Sequence, residues 1–387
     1  MPLVNSEDKN QPGTAIANTK TRVVGYDIAK VLAMFLVVLL HYSFYVGSIP
    51  DSRITRAAMT ITVVCVPTFI TVNGAILLNK PLNVKKHARK LLRVAMLLFI
   101  WRGIHIVAYR ILGSPSIGVA QVVSILLGNT GEDGYLTGHF WFLEALIALY
   151  AILPIIKLAF DNEDKRPLAI AIGALALLTF GLDEIRSVAE AFFGSPGTKL
   201  SATLQPISNL NIFGPYGYLI VYFVVGGFLG SKRATDAVRK HSPTAFALVA
   251  LAIVSVGITV ALHEAQYSGK LVGPFSTKNG YWLPMTLLET IALVILCLAL
   301  GNAINSSKIK RFATFMGSNT LGVYLLHMIV LTAAARTHVV DYFIPQSLSP
   351  ATCLIISALF VLSIQVLLSI VSDLLRKTPA VKWLFSL

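Results

Sequence analysis

Lys30 and His41 stand eleven residues apart in a run of Val, Leu, Met and Phe long enough to cross a bilayer. Eleven residues at about 100° each make roughly three helical turns, so the spacing predicts one helix face with the two groups about 16 Å apart. Ionisable side chains in such a run are costly and by default mark a pathway or a site. An imidazole titrates near neutrality and suits a general base, while the lysine ammonium supplies a point charge for a phosphate. A lysine snorkelling to the interface beside a packed histidine explains the same pair without chemistry.

Other residues of these types recur along the chain. Arg89, Lys90 and Arg93 lie within a turn or so of one another at the start of the third apolar segment, where they could clamp a phosphate-bearing ligand. Lys85 and Lys86, just before them, read as an ordinary basic flank. His139 precedes Glu144 in a later segment, and Tyr324 and His327 form an i, i+3 pair on one face of another. Arg102 and His105 reach a comparable depth, and Glu289 is read as a structural partner for a base such as Arg102. His139 also reads as an interfacial residue beside an aromatic belt. Two tiers emerge: a cationic one of Lys30, Arg89, Lys90 and Arg93, and a titratable one of His41, Glu144, Glu289, His327 and His139. Proton relays in transporters use similar Glu and His chains, so the pattern alone leaves transport open.

The elements that must position these residues are membrane helices. The chain of 387 residues is 55% hydrophobic and 13% charged, with a mean hydropathy of +0.73. Soluble domains carry about 25% charge, so composition predicts an integral membrane protein. Its net charge of +14 comes from basic residues scattered between apolar spans, without the basic groove and interleaved aromatics of a nucleic-acid binder. Apolar runs of about 20 residues predict an all-α fold of ten spans. They fall near 25–47, 56–78, 89–111, 138–160, 166–183, 209–230, 244–262, 282–300, 314–335 and 351–375. Asp183, Glu184 and Arg186 end the fifth early, and 117–128 is too short to cross. Lys and Arg concentrate in alternate connections, which places both termini in the cytoplasm. Lys30 and the Arg89 cluster then sit near the cytoplasmic face, and His41, Glu144 and His327 towards the outside. Residues 1–22 read as a disordered cytoplasmic tail without a cleaved signal, 23–376 as one membrane domain and 377–387 as a short cytoplasmic tail. Cys65, Cys297 and Cys353 all lie in apolar spans, which suits packing better than a disulfide or a metal site.

The ordered motifs resemble the acyltransferase-3 family of integral membrane acyltransferases. Asp27-Ile-Ala-Lys30 followed by His41 is similar to that family's opening helix, and Val66-Pro67-Thr68-Phe69 through Asn73-Gly74-Ala75-Ile76-Leu77-Leu78 to its second. Arg89-Lys90-Leu-Leu-Arg93 resembles its Arg-x-x-Arg motif, His139-Phe-Trp141 and Tyr150 to Pro154 its fourth helix, and Gly322-Val-Tyr324-Leu-Leu-His327 its penultimate one. Lys30, Lys90 and Asn73 depart from the usual Arg, Arg and Ser. Lysine keeps the charge but loses the bidentate fork.

The resemblance implies a plasma-membrane enzyme that moves an acyl group, often acetyl from acetyl-CoA, to a hydroxyl of a cell-surface glycan, a lipid-linked sugar or another small acceptor. A sugar hydroxyl is a poor nucleophile at neutral pH, so a base near it would help its attack on the thioester. His41 is the expected base or, alternatively, the site of a covalent acyl intermediate. Lys30, Arg89, Lys90 and Arg93 would hold the CoA phosphates, with Asp27 fixing Lys30, and Glu144 and His327 would orient His41 or grip the acceptor. No metal is expected. A proton-coupled transporter or flippase for a sugar-lipid or acylated substrate is the alternative.

Overall fold

Helix boundaries in this chain are set mainly by proline, by serine and asparagine N-caps and by the length of each apolar run. The structure, a computed structural model, describes residues 22–46, 49–114, 117–128, 137–210, 213–240, 243–267, 277–344 and 348–385. The expected tail at 1–22 lies outside them except for Arg22. Among the described residues the chain is helical, with no strand.

The first half of the chain runs from α1 (Val24–Tyr45) through α2 (Arg53–Thr62), α3 (Cys65–Leu77), α4 (Val84–Ile111) and the short α5 (Val119–Leu126) to α6 (Trp141–Asp161). α7 (Arg166–Ala176), α8 (Leu182–Leu204), α9 (Gly217–Leu229), α10 (Lys232–Arg239) and α11 (Pro243–Tyr267) follow. α12 (Pro284–Ala303), α13 (Ser307–Thr337), α14 (Val339–Phe343) and α15 (Pro350–Lys377) complete the bundle.

Among the described residues, seven helical stretches are long and apolar enough to cross a membrane: Val24–Tyr45, Arg53–Leu77, Val84–Ile111, Gly138–Asp161, Pro284–Ala303, Ser307–Thr337 and Pro350–Lys377. Three shorter apolar stretches, Arg166–Gly181, Gly217–Leu229 and Val249–Ile258, fall where the other three spans are expected.

Three expectations change in detail. The span at 56–78 is two helices, because Pro67 cannot donate to Val63 and its ring crowds that carbonyl. The span at 166–183 does not stop at Asp183 and Glu184: a π-helical turn at Leu177–Gly181 joins α7 to α8, which kinks at Gly194. The span at 209–230 shortens to the 13 residues of α9, about 20 Å, because Gly214 (φ 57°) and Pro215 form a separate turn before it.

α9 is nonetheless central. A Cβ on Gly74 of α3 would lie 1.8 Å from Phe223 O, and one on Gly226 of α9 would lie 1.9 Å from Thr71 O. The two helices therefore touch backbone to backbone, the close approach that small residues permit in membrane bundles. α4 starts five residues before its expected span, because Asn83 accepts from Lys86 N at 2.9 Å as an N-cap. After α15 the chain folds back: a 3₁₀ turn at Lys382–Phe385 packs the Phe385 ring on Trp101 at 5.3 Å, and Trp101 donates to Leu384 O at 3.1 Å. The three cysteines are free and buried.

Candidate active site

Lys30 and His41 face one cavity of about 220 Å³, enclosed by α1, α3, α4, α6 and α13 and by Tyr281 from the turn before α12. Its walls are mostly apolar, with Val37, Phe69, Leu143 and Leu146, and a few polar groups converge on it: Asn73, Lys90, His139, Tyr150 and Tyr324. An apolar pocket with a few converging polar groups is the form expected of a small-molecule site.

His41 does not act alone. Its Nδ1 lies 3.0 Å from Nε2 of His327, and the other nitrogen of His327, Nδ1, lies 2.6 Å from Tyr324 O. A carbonyl only accepts, so His327 Nδ1 carries a hydrogen, and in the neutral ring its Nε2 is an acceptor. His41 Nδ1 must then donate to it, leaving the lone pair of a neutral His41 on Nε2. The geometry thus selects the tautomer that a base needs. Helix phase supplies the partner: Tyr324 and His327 are one turn apart on α13, and α13 packs directly on α1.

Two further imidazoles complete the cluster. The His139 ring centroid lies 5.3 Å from that of His327, 6.4 Å from that of His41 and 4.9 Å from that of His105. His105 Nε2 donates to Leu325 O at 2.9 Å, while Tyr324 Oη donates to His139 O at 2.6 Å. His139 is 4% exposed, yet neither of its ring nitrogens has a hydrogen-bond partner among the described residues. These imidazoles do not form a metal-holding group among the described residues.

The cationic end of the cavity is held by carboxylate and carbonyl oxygens. Lys30 Nζ lies 2.8 Å from Asp27 Oδ1 and donates to Gly317 O at 3.1 Å. Asp27 is buried and also takes two hydrogen bonds from Arg22, at 2.6 and 2.8 Å. Gly317 permits this, since a Cβ there would lie 2.7 Å from Asp27 Cβ. Lys90 Nζ stands 4.9 Å from the Tyr150 ring centroid in a cation–π contact. Tyr150 Oη reaches Asn73 Oδ1 at 3.4 Å.

Of the expected site residues, Lys30, His41 and Lys90 line the cavity, Asp27 and His327 stand behind it as partners of Lys30 and His41, and Arg89, Arg93 and Glu144 lie away from it. Arg89 is exposed on α4, and Arg93 donates to Trp383 O at 3.1 Å. Glu144 forms an ion pair with Arg102, which also donates to Leu126 O at 3.2 Å and so ties α5 to α4 and α6. Arg102 thus has Glu144 as its carboxylate, not Glu289, which lies near Tyr222. Asn73, Tyr150, Trp141 and Tyr281 are cavity residues that sequence reading did not assign to the site. Asn73 carried a signal as a departure from the motif, and the aromatics carried none beyond their place in a belt. Arg22, read as part of the tail, is the second cation on Asp27.

Helices long enough to cross a membrane, closing around a cavity with paired imidazoles, define a polytopic membrane protein with a site suited to acid–base chemistry. A family model described as an acyltransferase domain, that of the acyltransferase-3 family, matches residues 23–370. The chain belongs to this family and is a membrane acyltransferase. No curated protein matches it, nor does any solved structure.

Proposed function

We propose that the protein is a plasma-membrane O-acyltransferase of ten spans with both termini in the cytoplasm. It moves an acetyl group from cytoplasmic acetyl-CoA to a hydroxyl of a cell-surface polysaccharide or lipid-linked sugar. The observation that carries the reading is the His41–His327 hydrogen bond of 3.0 Å beside the cavity. His41 Nε2 takes the proton of the acceptor hydroxyl as its oxygen attacks the thioester carbonyl carbon. His41 Nδ1–H remains hydrogen-bonded to His327, whose own Nδ1–H is held by Tyr324 O, so the imidazolium is stabilised through two rings. When the tetrahedral intermediate collapses, the C–S bond breaks and the proton on His41 passes to the departing thiolate. His139, whose buried ring nitrogens have no partner among the described residues, donates to the carbonyl oxygen as it gains negative charge. Lys30, set by Asp27 and Gly317, and Lys90 provide positive charge where the donor enters.

Membrane vesicles supplied with acetyl-labelled acetyl-CoA test the reading. The expected result is labelled glycan or lipid, reduced by about 10²-fold or more in His41→Ala. Acceptor labelling that His41→Ala leaves intact would overturn the proposal.

A further inference from the structure

A second cavity, of about 580 Å³, opens between α13 and α15 at the end of the bundle where α1 and α13 begin and α15 ends. Its lining includes four cations, Lys310, Arg311, Arg376 and Lys377, and one carboxylate, Asp373. Lys377 Nζ pairs with Asp373 at 2.6 Å, so those two charges cancel. Lys310 and Arg311 have no acidic partner among the described residues. Arg376 is pinned but not neutralised: its Nη1 donates to Ser318 O at 3.0 Å and to Asn319 Oδ1 at 3.2 Å, and Ser372 Oγ holds the same amide oxygen at 3.1 Å.

Basic residues that merely flank a span splay into water and need no partner. Here a guanidinium is fixed by oxygen acceptors inside a concave groove, with two uncompensated cations in the same lining. That arrangement suits an anion with several oxygens. The groove and the transfer cavity draw on consecutive residues of α13. Ser318 and Asn319 line the groove, the neighbouring Gly317 carbonyl holds Lys30, and Thr320 and Leu321 line the first cavity. From Thr314 to His327 is thirteen residues of α13, about 20 Å along the helix. A long ligand with its phosphates in the groove could present its reactive end to His41.

We propose that the α13–α15 groove binds the phosphate-bearing nucleotide end of the acyl donor through Lys310, Arg311 and Arg376. Identifying the occupant as a donor rests on the acyl-transfer reading; the phosphate chemistry of the groove does not. An anionic phospholipid headgroup offers the same chemistry, and the experiment separates the two sources.

The full chain in phosphatidylcholine nanodiscs is titrated with adenosine 3′,5′-bisphosphate. K310Q/R311Q should weaken binding by about tenfold or more, as expected for lost charge-assisted contacts, and K85Q/K86Q should leave it unchanged. His41→Ala should bind like the wild type, so failure of the transfer reading does not remove this result. The second arm replaces part of the phosphatidylcholine with phosphatidylglycerol and follows thermal stability. If nucleotide affinity is insensitive to K310Q/R311Q but phosphatidylglycerol stabilises only the wild type, a lipid occupies the groove and the donor assignment falls. If neither probe distinguishes the double variant from the wild type, the groove is not a phosphate site.

Discussion

A base supported by a second imidazole works differently from one supported by a carboxylate. A buried carboxylate would bring a full charge into an apolar bundle, at a cost of several kcal/mol unless it were paired. A neutral histidine supplies an acceptor for His41 Nδ1–H without that charge, and Tyr324 O completes the chain. His327→Ala removes the acceptor and should lower kcat by about 10²-fold with little change in KM. His327→Gln keeps an oxygen acceptor and should recover part of the loss. Steady-state kinetics with labelled donor decide this, and equal losses in both variants would count against a proton-holding role for His327. Part of this site was legible beforehand. The 100° step aligned Lys30 with His41, and the i, i+3 spacing aligned Tyr324 with His327. His139 was ambiguous because it sits in a 3₁₀ turn, where helix phase is lost, and an interfacial belt accounted for it equally well. The partner of Arg102 was illegible for another reason. Glu144 and Glu289 stand at similar positions along their expected spans, and which of them meets α4 depends on the lateral order of helices, which hydropathy does not encode.

Among the helices, the decisive contact is the crossing of α3 and α9. Gly226→Ala would place a methyl carbon 1.9 Å from a backbone oxygen that cannot swing aside, forcing the helices apart. The expected cost is about 1–3 kcal/mol, the range for overpacking. Gly257→Ala on α11 meets nothing within 4 Å and should be neutral or slightly stabilising through helix propensity. Thermal unfolding in detergent compares the two, and equal effects would show that the crossing is looser than described. Apolar run length located most of these helices, but it could not show that Pro67 divides one span or that a π turn carries α7 past Asp183. Those outcomes depend on local backbone hydrogen bonding, to which hydropathy is blind.

For the molecule as a whole, the proposed orientation rests on the uneven distribution of Lys and Arg. Because Cys65, Cys297 and Cys353 are all buried, a thiol reagent that cannot cross the membrane should give little background labelling. Asp164→Cys should be labelled only from the cytoplasmic side and Lys199→Cys only from the outside, both positions being exposed. Labelling of both from the same side would reject the proposed topology. In the proposed orientation the α13–α15 groove would open to the cytoplasm, with the histidine cluster farther along the same helix.

His139 has a consequence for finding what the protein acts on. The two buried ring nitrogens of His139, with no partner among the described residues, carry a desolvation cost of about 1–3 kcal/mol unless something in the cavity meets them. A molecule that enters the cavity and satisfies either nitrogen relieves it, so occupancy and heat resistance are thermodynamically linked. The unknown acceptor can therefore be sought by melting alone, screening sugars for a rise in Tm before any reaction has been observed. Replacing His139 with leucine should raise the melting point of the empty protein and abolish the ligand-dependent rise, making the least satisfied side chain of the cluster a reporter for its substrate.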